Sequence, residues 1–430
     1  MTTFLKIAGA AAAASAAMAF LAPPAPAAAQ ETGCSYGSGG DNASTICWID
    51  MGGFDMATAM SAAGQPMTIE LNADYTMSFT FKYTAGANGY RVIKAVPFPT
   101  YSKAPIGNTA YTGTSGAPAL YQQVDAGTGA SGDLGTLTIE DLVVTGPSGR
   151  ALGGYGIVMA DAETTNRGEG LTFASDETID QLGVADMPGA EPACGGELSG
   201  LGTTSVTCRG NTAGGLAVQE ILLYADSPTT ASIGFLDRTA NAVQGVAFGL
   251  LTAKVALTKE IEDRTSASDS FALSITDADG NSIGEASTGD ADTTAIDPVT
   301  VVANRAGREY TFGETAENAT DLASYTQDWS CTNNGAADPG LPSGSGTEQT
   351  VAVNVGDDIA CTVTNTGTPP VEPSGGPSEP GAPSGGEDGD DGALPETGSS
   401  PVRIGILAAA VVAVGTAGLL MARRARRTTW

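Results

Sequence analysis

There is no histidine among the 430 residues. That absence removes Ser-His-Asp and Cys-His nucleophilic catalysis, His-ligated zinc and haem, and imidazole proton relay. Carboxylate chemistry survives, because Asp and Glu together number 48. Basic residues are few, 19 in all, and six of them sit at the chain ends: Lys6, Arg403, Arg423, Arg424, Arg426 and Arg427. The segment 30–397 is left with 13 basic and 48 acidic side chains, a net charge of −35. Such a surface repels phosphate backbones and anionic polymers, which argues against nucleic acid as a partner. No acid pair stands out from so many, so glycan hydrolysis by two carboxylates is a minor reading and the chain is expected not to be an enzyme.

The two ends carry the processing signals. Residues 1–29 read as a signal peptide: Lys6, an apolar stretch Ile7–Leu21, then prolines and Ala27-Ala28-Ala29 before Gln30. Export permits disulfides. At the other end, 367–393 is rich in Pro, Gly, Ser, Glu and Asp and cannot bury a core. It is expected to be a disordered spacer, reaching up to ~80 Å at about 3 Å per residue. After it come Leu394-Pro395-Glu396-Thr397-Gly398, an uncharged segment 404–422 long enough to cross a bilayer as one transmembrane helix, and a basic tail 423–430. A plain single-pass anchor is one reading. The other follows from resemblance: motif, apolar span and basic tail stand in the order of the LPxTG sorting signal of Gram-positive cell-wall proteins. It implies that a sortase cleaves Thr397–Gly398 and joins Thr397 to peptidoglycan, so that the membrane holds the chain only transiently.

Between the ends the pattern is β. In Tyr75–Tyr83 the residues Met77, Phe79, Phe81 and Tyr83 alternate with Thr76, Ser78, Thr80 and Lys82, the period of a strand with one buried face. Gly, Asn and Asp clusters such as Gly86–Gly89 and Asp277–Asn281 supply turns. The expected fold is all-β: a large sandwich over 30–252, then a smaller one over 254–366. Six cysteines allow fifteen connectivities; the favoured pairs are Cys34–Cys47, Cys194–Cys208 and Cys331–Cys361.

Two further resemblances give these domains a meaning. S-T-I-C-W-I-D (Ser44–Asp50), Tyr111–Tyr121, Met159–Phe173 and Gln244–Leu250 are similar to the non-repetitive adhesive domain of CshA-type fibrillar adhesins. The resemblance implies a lectin-like sandwich that binds host matrix, fibronectin in the family, or another cell. Leu257–Ile261, Arg308–Ala316 and Cys361–Thr366 resemble a prealbumin-like (CnaB or SpaA type) stalk domain with an Ig-like sandwich. In that family a first-strand Lys joins a last-strand Asn through an isopeptide bond assisted by a buried Glu, which implies Lys259, Asn365 and Glu314. A disulfide at Cys361 would already tie down the same last strand.

Asp161, Glu163 and Glu169 invite a structural calcium reading, three oxygen donors within nine residues. A hydrogen-bonded strand end is the plainer reading, and no cofactor is otherwise expected. Trp48 continues an apolar strand and reads as core rather than as a sugar-stacking platform. Taken together, the chain reads as a secreted, sortase-anchored adhesin of the cell wall of a Gram-positive bacterium, an actinobacterium by its Ala and Arg usage. A pilus-tip or minor pilin subunit and a surface carbohydrate-active enzyme are the alternatives.

Overall fold

The alternation of Met77, Phe79, Phe81 and Tyr83 becomes the strand Thr76–Thr84, whose residues are buried one by one in turn. A computed structural model describes residues 30–368, apart from 72–74, 130, 147–148, 214 and 240. The leader, the spacer, the 394–398 motif, the apolar span and the tail lie outside the described residues. The one α-helical element described is a single turn, Met56–Ala59, capped by the Asp55 carboxylate on Thr58 N–H at 2.8 Å.

The large domain is one 15-stranded sheet that folds back on itself. The strand Gly170–Ala185 is the reason. Its first part, 170–175, pairs with Ala231–Asp237, and its second part, 179–185, pairs with Glu220–Asp226. One strand thus serves both layers. One layer runs through Glu220–Asp226, Gly156–Asp161, Gly245–Leu251 and Ile46–Ile49; the other runs through Gln65–Glu70, Thr76–Thr84, Gly132–Thr145 and Ala231–Asp237. Phe81, Phe173, Phe235, Phe248, Met77 and Ile139 fill the space between them. Burying each such side chain is worth about 1.5–3 kcal/mol. The outer face of the first layer is also covered. Segment 98–111 seats Trp48 edge-on against Phe98 and Tyr111, at 5.4 and 5.1 Å between ring centroids, so Trp48 is core.

A single residue, Thr252, separates the last strand of this domain, Gly245–Leu251, from the first strand of the next, Ala253–Glu262. Thr252 is buried; its N–H donates to Thr45 O, and its carbonyl accepts from Gly356 N–H. The second domain packs a 5-stranded sheet on a 4-stranded one around Leu273, Ile275, Phe312, Trp329, Val353 and Val363. Its first and last strands, Ala253–Glu262 and Asp358–Gly367, are parallel neighbours, with Lys259 opposite Val363 and Ile261 opposite Asn365. Asp277–Asn281 forms the turn between Ser270–Asp277 and Ser282–Ser287, where the Asp277 carboxylate accepts from the Asp279 and Asn281 N–H groups.

All six cysteines are paired: Cys34–Cys47, Cys194–Cys208 and Cys331–Cys361. Cys331 and Cys361 face each other across an antiparallel ladder, which joins the last strand to Tyr325–Asn333. That is not the neighbour on which Lys259 lies. A disulfide and a Lys–Asn link would therefore tie the last strand to two different partners.

Candidate functional sites

The first site lies inside the smaller sandwich. Inward alternation on Ala253–Glu262 buries Lys259 completely, and the same alternation on Asp358–Gly367 buries Asn365. Glu314 comes from the facing sheet, on Arg308–Glu317, and is 2 % exposed. One carboxylate oxygen of Glu314 accepts from both partners: Lys259 Nζ at 3.0 Å and Asn365 Nδ2 at 3.1 Å. Lys259 Nζ also lies 5.0 Å from the centre of the Phe271 ring, which packs edge-on against Tyr325. The other Glu314 oxygen and Asn365 Oδ1 have no protein partner. Burial pulls the Lys259 pKa down to about 8, against the opposing pull of Glu314. Burial also raises Glu314, with Lys259 and then Asn365 opposing. Both groups are thus pushed toward their neutral forms. A neutral amine beside an amide, with a protonatable carboxyl bridging the two, is an arrangement suited to acyl transfer.

The second site closes one end of the large sandwich. Asp161, Glu163 and Glu169 belong to it. Asp161 ends the strand Gly156–Asp161 and is buried; its two oxygens accept from the N–H groups of Glu163 (3.2 Å) and Thr165 (2.9 Å). Those bonds knot the chain reversal after the strand. Among the described residues no three His, Cys, Asp or Glu side chains converge on a point that would hold a metal ion. These bonds are those of the hydrogen-bonded strand end, the plainer of the two readings of the sequence.

Around this knot the fold gathers charged and polar residues that the sequence reading missed. Arg91 donates through Nε to Asp237 at 2.7 Å and through Nη2 to Thr239 O at 3.1 Å. Gln122 and Gln244 pair across adjacent strands, each buried, with the Gln244 N–H on Gln122 Oε1 at 3.0 Å. Glu220 accepts from Ile106 N–H at 2.7 Å. Burial is the leading cause by which Asp161 and Glu169 are pushed up to about 7, Asp237 to about 6, and Glu163 and Glu220 well above the usual carboxylate range. A signal was present. Asp161 follows Ile157 and Met159, Asp237 follows Ile233 and Phe235, and Gln244 precedes Val246 and Phe248, each at the two-residue step that faces the core. Over this end a cavity of about 300 Å³ opens to solvent, lined by Arg167, Glu169, Arg238, Thr239, Asn241 and Ala242.

Comparison with known proteins agrees with this division. Residues 44–252 match the family described as surface adhesin CshA non-repetitive domain 2, and residues 254–367 match the prealbumin-like fold domain. No curated protein matches the chain. Among solved structures, the major pilin from Streptococcus pyogenes is similar at 13% identity over 50% of this chain and 99% of its own, with a TM-score of 0.19. A bacterial adhesin from Mobiluncus mulieris, whose structure contains intramolecular disulfide, isopeptide and ester cross-links, is similar at 9% identity over 67% of this chain and 99% of its own, with a TM-score of 0.22. Likeness at these TM-scores carries no inference about this chain. The two family matches stand in order along the chain, with residues 44–252 similar to a CshA-type surface-adhesin domain and residues 254–367 to a prealbumin-like domain.

Proposed function

We propose that this protein is an adhesin fixed covalently to the cell wall of a Gram-positive bacterium, with the large sandwich binding host matrix protein such as fibronectin, or another cell. The match of residues 44–252 to a surface-adhesin domain carries this reading. The order of Leu394-Pro395-Glu396-Thr397-Gly398, apolar segment and basic tail supports sortase anchoring through Thr397. Expressed in its host, the chain should run as a wall-linked band that disappears with the sortase and with Thr397→Ala. A high-mass ladder instead would mean a pilus subunit. Purified mature chain should bind immobilised fibronectin or cells; silence against matrix proteins and cells alike would sink the adhesin reading.

In the stalk we propose an isopeptide bond between Lys259 and Asn365. The neutral Nζ attacks Cγ of Asn365, the new C–N bond forms, and the Asn365 amino group leaves as ammonia. Glu314 takes the proton from Nζ and returns it to the leaving nitrogen. The step needs no other reagent. It removes one ammonia, ~17 Da, which is the quantity that intact-mass measurement of the reduced protein reads.

A further inference from the structure

The cavity over the polar end of the large domain is lined from two places in the chain, Arg167 and Glu169 from one and Arg238, Thr239, Asn241 and Ala242 from the other. Its charge is the reverse of the surrounding protein. Arg167 and Arg238 both line it, although the segment 30–397 has only 13 basic side chains against 48 acidic ones. Their positions are set by the backbone. Arg167 and Gly168 both take positive φ, +50° and +84°, and the Arg238 guanidinium donates to the carbonyls of Arg167 and, at 3.5 Å, Thr212. These bonds hold Arg238 against the turn and leave the exposed Arg167 head at the rim. Thr239 is fixed from below by Arg91, which donates to its carbonyl. Glu169 is the one acid in the lining, and its main-chain N–H and C=O are bonded to Asn166 O and Gly210 N–H.

We propose that this cavity is a subsite for a carboxylate-bearing sugar residue, its carboxylate held by the guanidiniums of Arg167 and Arg238. Paired guanidiniums match a carboxylate in charge and in planar fork geometry. The rest of the lining favours a sugar acid over an acidic side chain of a protein. Thr239, Asn241 and Glu169 offer further polar groups to hydroxyls, and Ala242 is the one wholly apolar side chain in the lining. The volume, about 300 Å³, is at the lower end of the range for small-ligand cavities and suits one ring.

Glu169 would oppose an anion if it were ionised. It is faced by Glu163, Asp161, Asp237 and Tyr121 from behind and by Arg167 and Arg238 at the rim. Burial, and after it Asp237, push its carboxyl up to about 7, with a hydrogen bond from the Asn166 main chain and the two arginines opposing. Below that pH it carries a proton and donates a hydrogen bond. Burial thus turns the one acid of the cavity into a donor, and binding should weaken as pH rises above neutral.

This inference rests on the adhesin reading and specifies its ligand. The test is titration of the mature chain with glucuronic acid, N-acetylneuraminic acid and glucose, followed by NMR, at pH 5.5 and pH 8. One or both acids should bind at pH 5.5, at least about tenfold tighter than glucose, which corresponds to ~1.4 kcal/mol. Arg167→Gln should cost about tenfold or more, the range of a charge-assisted pair. Glu169→Gln should keep the affinity at pH 5.5 and abolish the weakening at pH 8. Equal response to acidic and neutral sugars, or indifference to Arg167→Gln, overturns the proposal. Capture of a Glu-rich peptide without either sugar acid overturns the sugar assignment. Cell attachment that persists in Arg167→Gln beside failed titrations would leave the adhesin reading standing and this one fallen.

Discussion

At the scale of single residues, Lys259 and Glu314 cannot be changed alone without consequence. Each is fully buried and each is the other's charge partner at 3.0 Å. If the isopeptide forms, Lys259→Met keeps the volume, removes the nucleophile and leaves the mass equal to that of its own sequence, with no ammonia lost. Glu314→Ala removes the proton carrier and also strands a buried amine, so it should cost more, about 3–5 kcal/mol. Intact mass and a denaturant titration of both variants separate the two effects. If Glu314→Ala still lost the ammonia, the proton relay assigned to that carboxyl would be wrong.

The acids at the end of the large domain make a second residue-scale prediction. Asp161, Glu163, Glu169, Glu220 and Asp237 all have pKa values raised by burial. A raised carboxyl favours its protonated form in the folded state. Its stabilisation is complete below the ordinary carboxylate range, about pH 4, and is lost as pH rises through about 6 to 7. Asp176 and Asp277 are lowered through hydrogen bonds that outweigh burial, and their contribution is lost only as pH falls below about 4. Stability should therefore peak between about pH 4 and 6 and fall by a few kcal/mol toward pH 8. Urea unfolding at fixed high salt, which screens the exposed charges, checks this. Glu163→Gln and Glu220→Gln should each flatten the fall; a rise toward pH 8 would refute the assignment.

Among the elements, the last strand of the stalk shows how separate bonds share a load. Cys331–Cys361 ties Asp358–Gly367 to Tyr325–Asn333, while Lys259 lies on its other neighbour, Ala253–Glu262. A Cys331→Ala, Cys361→Ala double variant should keep the ammonia loss. It should unfold about 3–4 kcal/mol more easily, the loop-closure value for a separation of 30 residues. Failure of the mass change in that variant would mean that the disulfide is needed to align Lys259 with Asn365.

The strands themselves were legible in the sequence, because a one-sided burial pattern such as Met77, Phe79, Phe81, Tyr83 repeats every two residues whatever the topology. The triad of the smaller sandwich was implied by the family resemblance rather than by periodicity; the strands place Lys259 and Asn365 at inward positions. The polar end of the large sandwich was not. Arg91 and Asp237 are 146 residues apart and meet only because Gly170–Ala185 changes layers and closes the sheet. Period two says that a charged residue points inward, but not which distant residue it meets there. Spacing along the chain left a calcium site and a hydrogen-bonded strand end both open at Asp161, Glu163 and Glu169, because it cannot show that main-chain N–H groups already bond the Asp161 oxygens.

For the whole described molecule, the question is whether the two sandwiches are beads on a string. The joint argues that they are one body. Thr252 alone connects them, buried and bonded on both sides. Val302 of the stalk is 2 % exposed and belongs to the core of the large domain, and Val355 packs against the cores of both. Arg305 reaches across to Asp180 at 2.7 Å and to Tyr224 Oη at 2.5 Å, and Lys254 lies 3.8 Å from the centre of the Tyr36 ring. Ala303 N–H donates to Gly154 O at 2.8 Å. Gly154 has φ +98°, and a Cβ there would stand 1.9 Å from the Ala303 carbonyl oxygen. With so much shared surface the mature chain should unfold in a single calorimetric transition, the calorimetric and van't Hoff enthalpies agreeing. Gly154→Ala forces the seam apart and adds backbone strain of about 1–3 kcal/mol. It should lower the melting temperature and split the transition in two, the smaller sandwich melting on its own, while the mass differs from the parent's only by the added methylene, because any Lys259–Asn365 link lies away from the seam. If the parent already melted in two steps, the sandwiches would be independent domains and the joint a hinge rather than a seam; if Gly154→Ala left a single sharp transition, the seam would not depend on the close approach at Gly154.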